Sequence, residues 1–374
     1  MTPWLHKHFI RSTTAAVERQ TRVVRVAMAG VGAQWKRFLR SMEQGEYYDA
    51  EQALQSAYRR ELAGAQHGKG GTSKAHALEM LDEGCSMLIA HSQLGSVAVL
   101  MPLVVKHDAG DGQEHGGSLE SAMRMLRSMY AVWEAQANAS LQLAADAPRE
   151  ESEAMSQLSE MSKALQKTLE LVLAATIDQH RPEYHRELCE QMATVKWRLH
   201  RFGDSQAYFL KSASSADLAR MVWDWCMACK VRSERPLIVA RCFLLILTHS
   251  SVFGNDMDRT VARARSFSEC IQSMVAGPDN GTTDHGSVMA RQEPLLHFIE
   301  FVGEAAMRER AELFQLARSV YQPSLCRDPA LDKLLDKIAV HVFHIQPAAP
   351  APPPNMLGSL MGDMMRGMFA GPQR

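Results

Sequence analysis

The chain has 374 residues, long enough for two domains or for one elongated helical array. Its 41 basic and 42 acidic side chains leave a formal net charge of −1, which argues against a nucleic-acid binder and against an acidic tail protein. Apolar residues make up 46% of the chain, ample for a core, yet no apolar run reaches the ~18–20 residues of a bilayer span, so no direct membrane span is expected.

Seven cysteines are scattered along the chain and no secretory leader is read, so a reducing compartment is expected rather than a disulfide scaffold. Residues 1–33 form a basic extension, with Lys7, Arg11, Arg19, Arg22 and Arg25 against Glu18. An Arg-rich, acid-poor start fits an organelle transit peptide; a frayed extension leading into a solvated helix face fits as well. From residue 34, Trp35 to Leu39 lead into a helix that ends at Gly45, where glycine can take the left-handed cap. A second helix starts at Tyr47-Tyr48, with the small residues Ala50, Ala53 and Ala57 on one face. Small residues let two antiparallel helices approach closely, as in tetratricopeptide-like hairpins.

Gly68-Lys69-Gly70-Gly71-Thr72-Ser73 half matches a phosphate loop, but its spacing is wrong and no strand precedes it, so it reads as a solvated loop before a helix over 74–91. A further helix spans 92–105, followed by a Gly- and Asp-rich connector to 117. Two long helical patterns, 119–145 and 150–179, are split at Pro148. Their inner faces are Met123, Leu126, Tyr130 and Trp133, then Leu158, Met161, Leu165, Leu169 and Val172. Phe202-Gly203-Asp204-Ser205-Gln206-Ala207-Tyr208 repeats the aromatic, acid and small order of Tyr47-Tyr48-Asp49-Ala50-Glu51-Gln52-Ala53, a weak internal repeat. Helices are predicted from Ser215, over 234–249 and over 256–275. Asn280-Gly281 is a hairpin-turn signal, read either as a small β-hairpin near 278–290 or as a plain surface loop.

Residues 292–345 predict three packed helices. Their apolar faces are Leu295, Phe298, Ile299 and Val302; then Leu313, Leu316, Ala317 and Val320; then Leu331, Leu334, Leu335, Ile338 and Val342. Pro323 stops the second, and Asp328-Pro329 is an N-cap followed by proline at the first helical position. Residues 346–374 are a Pro-rich spacer and a Met-rich segment. There Met356, Leu357, Leu360, Met361, Met364, Met365 and Met368 recur at helical spacing, which fits either an amphipathic helix able to dock in a groove or a disordered tail.

The run Tyr321-Gln322-Pro323-Ser324-Leu325, then Arg327-Asp328-Pro329, a Leu-rich helix, a Pro-rich linker and a Leu- and Met-rich tail resembles the C-terminus of the Golgi-to-ER traffic protein four family. The likeness extends to the hairpin around Tyr47-Tyr48 and to the stretch from His180. What it implies is an all-α fold, a right-handed superhelical solenoid of helix hairpins. Residues 34–178 would be the N-terminal half, which docks a targeting ATPase for tail-anchored membrane proteins. Residues 179–345 would be the C-terminal half, which holds a ubiquitin-like co-subunit. A tetratricopeptide co-chaperone would be an indirect partner, a BAG-domain scaffold a further one in some lineages, and the cytosol the site of action. On matching positions, Lys36, Arg37, Arg40, Tyr47 and Tyr48 would dock the ATPase; a solvated basic face is the competing reading. Pro294, Leu295, Phe298, Phe301, Tyr321, Pro323 and Leu325, with the 280–291 loop, would form the co-subunit groove. Val99 stands where the family carries an acid. A helical scaffold of another complex, or an organelle-imported helical protein, are the alternative functions.

No nucleophile elbow, zinc-protease helix or dinucleotide loop occurs, and no cofactor is expected. Cys226-Met227-Ala228-Cys229 is a lone C-x-x-C within a predicted helix, without a second ligand pair, so it is not read as a metal site.

Overall fold

The computed structural model describes residues 32–66, 74–107, 116–146, 151–249, 256–276 and 293–345. Among these, every regular element is helical. In chain order they are α1 (Ala33–Gln44), α2 (Tyr47–Gln66), α3 (Lys74–Ala90), α4 (Leu94–Lys106), α5 (Gly116–Asp146), α6 (Glu151–Asp178), α7 (Pro182–Arg198) and α8 (Phe202–Phe209). Then follow α9 (Ser215–Ala228), α10 (Arg235–Thr248), α11 (Met257–Ala276), α12 (Pro294–Met307), α13 (Ala311–Val320), α14 (Gln322–Leu325) and α15 (Pro329–His341). The expected all-α fold of packed helices is what the described residues form. The expected β-hairpin near 278–290, the loop at 67–73, the basic extension and the tail from 346 lie outside the described residues.

The chain divides into two compact units between Ser214 and Ser215. The division falls later than the 178/179 boundary read from sequence. α7 packs on α6 and α8 on α7. Leu188, Met192 and Val195 of α7 are buried in the same apolar cluster as Leu165 and Leu169 of α6.

The first unit follows the hairpin grammar. α1 pairs with α2, α3 with α4, α5 with α6 and α7 with α8, and each pair packs on the next. Gly45 closes α1 with φ 74°, and the amides of Gly45 and Glu46 return to the carbonyls of Met42 and Ser41. The close approach expected from small residues is present: Ala50, Ala53 and Ala57 are buried, and a Cβ built on Gly84 of α3 would lie 2.4 Å from Leu54 Cδ2 of α2. In the long α5–α6 pair the buried Trp133 donates its indole N–H to Ser162 Oγ at 2.8 Å. Ser162 in turn donates to the Leu158 carbonyl. Charged pairs join successive hairpins: Arg124 with Asp82 at 2.6 Å, and Arg127 with both oxygens of Glu187 at 2.6 and 2.7 Å. Burial lifts the Asp82 carboxyl above its ordinary range, against the pull of Arg124.

The second unit is built differently. α10 is its axis, packed by α9, α11, α12 and α15. Its run of Val239, Ala240, Cys242, Phe243, Leu244, Ile246 and Leu247 is fully buried, an apolar face over about half of the helix surface, with Arg241 exposed on the other side. Two expectations for 292–345 need correction. First, four helical segments form rather than three, because Pro323 sits in the first turn of the short α14, a position that needs no amide hydrogen. Second, Leu316 and Val320 of α13 are 53% and 61% exposed. The inward stripe of α13 is Phe314 and Ala317 instead, with Phe314 stacked on Phe343 at 4.5 Å. α13 packs chiefly on α12, so only a narrow face is covered.

Candidate partner-docking surfaces

Each unit carries one candidate surface. In the first, α1 turns Trp35, Phe38 and Met42 inward at i, i+3 and i+7, and all three are buried. That register leaves Lys36, Arg37 and Arg40 outward and exposed. Lys36 and Arg40 are one turn apart, and Arg37 lies three residues before Arg40, so the three cations share one solvent-facing patch. Among the described residues none of the three takes part in an ion pair. The two tyrosines that follow are not equivalent. Tyr48 is 72% exposed, whereas Tyr47 is half-buried, with its hydroxyl 3.4 Å from His91 Nδ1 and the two rings 5.6 Å apart. Tyr48 is thus an aromatic offered to solvent beyond the end of the basic helix, and Tyr47 ties α2 to the end of α3. Val99, on α4, is also exposed, at 45%.

In the second unit the predicted groove residues separate into two groups. Leu295 and Phe298 are completely buried and Leu325 nearly so, which corrects their assignment to an open groove. Phe298 packs at 5.6 Å against the ring of Tyr321, which is itself half-buried. These side chains hold α12, α13 and α14 together, and they cannot touch a partner without the unit opening. Pro294, Phe301 and Pro323 are exposed, and Leu316 and Val320 join them as apolar groups in solvent. The sequence reading placed those two in the core. The signal that separates them is the competing stripe Phe314, Ala317 and Tyr321 at i, i+3 and i+7.

The Arg327-Asp328-Pro329 motif is a clasp within the second unit. The Arg327 guanidinium donates to the Ser233 carbonyl and to Glu293 Oε1 at 3.4 Å, so it reaches the residue before α12. The Asp328 carboxylate accepts from the Ala330 amide at 3.0 Å, capping α15, and from Arg241 of α10. Partial burial works against the charged form of Asp328. The hydrogen bonds from Arg241 and Ala330, with the guanidinium charge, outweigh it and hold the carboxyl below its ordinary value.

Cys226 is buried in α9 and Cys229 lies one residue beyond the helix end, so the pair does not sit within one helix as the sequence reading had it. Burial pushes the Cys226 thiol up to about 12, which disfavours the reactive thiolate. Among the described residues no cluster of three His, Cys, Asp or Glu side chains is placed to hold a metal, and no helix is long and apolar enough to cross a membrane.

The architecture has relatives. A crystal structure of Get4 from C. therm. superposes with a TM-score of 0.56 at 20% identity, covering 90% of this chain and 95% of that one. The Golgi to ER traffic protein 4 homolog of Oryzias latipes is 24% identical over 326 residues, 87% of this chain and 85% of its own length. The Bos taurus homolog is 25% identical over 325 residues, and the Homo sapiens homolog 23%. The model of the family Golgi to ER traffic protein 4 matches residues 72–365, well over half of the chain, and so this protein belongs to that family.

Proposed function

We propose that this protein is a cytosolic adaptor in the targeting of tail-anchored membrane proteins to the endoplasmic reticulum, acting by binding rather than by catalysis. Its first unit docks the targeting ATPase, and its second unit holds a ubiquitin-like co-subunit that brings in the client-loaded tetratricopeptide co-chaperone. A BAG-domain scaffold is a further partner in lineages that have one. The observation that carries the reading is a pair of solvent-facing surfaces of opposite chemistry on two separate units, in a chain of this family. The cations Lys36, Arg37 and Arg40 with Tyr48 suit an acidic partner, since exposed charge mainly raises the association rate and is weakened by salt. Phe301, Leu316 and Val320 suit an apolar helix.

The test is affinity capture of the full chain from its own cells, with the bound proteins identified by mass spectrometry. Recovery of a ubiquitin-like chain together with the targeting ATPase is the expected result. Recovery of an unrelated multiprotein complex in their place would overturn the assignment. A charge reversal on α1 should remove the ATPase alone, and Phe301→Asp the ubiquitin-like chain alone.

A further inference from the structure

A cavity of about 660 Å³ opens within the second unit, walled by the first half of α11, the end of α12 and the residues after α15. That size falls in the range that encloses a compact ligand or a few side chains. Val261, Ala306 and Phe343 form its apolar floor, and Met307, 39% exposed, stands at its edge. Stacking of Phe343 on Phe314 fixes one wall. The rim is charged, with the acids Asp258, Glu269 and Glu309 and the base Arg265, which pairs with Glu269 at 2.7 Å.

The chain itself leaves from this rim. His344 lines the cavity, its left-handed φ of 54° turns the backbone, and Ile345 is the last described residue before the segment 346–374. We propose that the cavity is the seat of the chain's own C-terminal segment, residues 356–369, docked within the same molecule.

Three features argue for this occupant. One is reach. His344 lines the cavity, so the 11 residues 345–355 are all that separate the cavity wall from Met356, and their contour length of up to ~3.3–3.6 Å per residue is ample for 356–369 to return to it. The second is chemistry. Met361, Met364, Met365 and Met368 are unbranched and adaptable, suited to an irregular apolar floor. Arg366 complements the acidic excess that Asp258 and Glu309 leave on the rim. The third is concentration. A short tether presents the segment at roughly millimolar effective concentration, so an intrinsically weak contact is still occupied. Docking would shield the methionines from other apolar surfaces, and anything that captures the tail would open the cavity.

Hydrogen exchange on the full chain tests it. The comparison is the double variant Met361→Asp with Met365→Asp, which alters no residue of the described core. Amides of 257–266 and 306–309 should exchange ~3-fold or more slowly in the parent, as millimolar tethering of a weak contact implies. Met307→Asp, at an exposed position, should have the same effect from the cavity side and speed tryptic cleavage after Arg366. Equal exchange and equal cleavage in all three chains would overturn the proposal. So would protection that grows with protein concentration, which would place the tail of a second copy in the cavity.

Discussion

Arg241 on α10 and Asp328 at the start of α15 are joined across 87 residues of sequence, with Arg241 Nε 3.2 Å from Asp328 Oδ2. The same carboxylate caps α15. One side chain therefore both starts the last helix and fastens it to the axis of the unit.

Asp328→Ala should cost about 1–2 kcal/mol, a lost N-cap plus a charge-assisted bond reduced by the partial exposure of Arg241. Denaturant unfolding of the full chain measures it. Because the folded carboxyl sits below its ordinary value, the stabilisation is complete above the unfolded pKa and is lost as pH falls through the folded one. The gap between parent and variant should therefore narrow on acidification and stay constant from neutral pH upward, apart from the share of the cap that a protonated carboxyl retains.

Charge reversal at Lys36, Arg37 and Arg40 should leave stability within about 0.5 kcal/mol, since all three are exposed. Association with the targeting ATPase should slow at low salt and converge with the parent at high salt, as stopped-flow kinetics would show. An equal loss at every ionic strength would point to a contact of another kind.

Phe301→Asp and Phe298→Asp should behave differently although they lie one turn apart. Phe298 is buried against Tyr321, so a charge there should unfold the second unit, by more than about 4 kcal/mol. Phe301 is 38% exposed, and its variant should remain folded by circular dichroism yet lose the ubiquitin-like co-subunit in a pull-down. Retention of that partner by a folded Phe301→Asp chain would move the docking surface elsewhere.

Gly84→Val should destabilise the first unit by about 1–3 kcal/mol, because even a Cβ would sit 2.4 Å from a Leu54 methyl. A smaller cost is expected for Gly84→Ala if Leu54 changes rotamer. Thermal unfolding of both variants would rank them.

Local chemistry alone was enough for much of this molecule. The left-handed cap at Gly45, the Asp328 cap, the small-residue contact of α2 and the inner stripe of α5 all depend on neighbours within a turn or two, so periodicity and residue type identify them. The basic patch was equally readable, since three cations within five positions of an amphipathic helix must face away from Trp35 and Phe38. What tertiary structure decided is which of two plausible apolar faces is covered. α13 offers Leu316 and Val320 on one face and Phe314 and Ala317 on another, and only the placement of α12 and Phe343 selects between them. Likewise Leu295 and Phe298 look the same in sequence as groove residues and as core, because burial depends on what packs opposite, and that neighbour comes from distant chain.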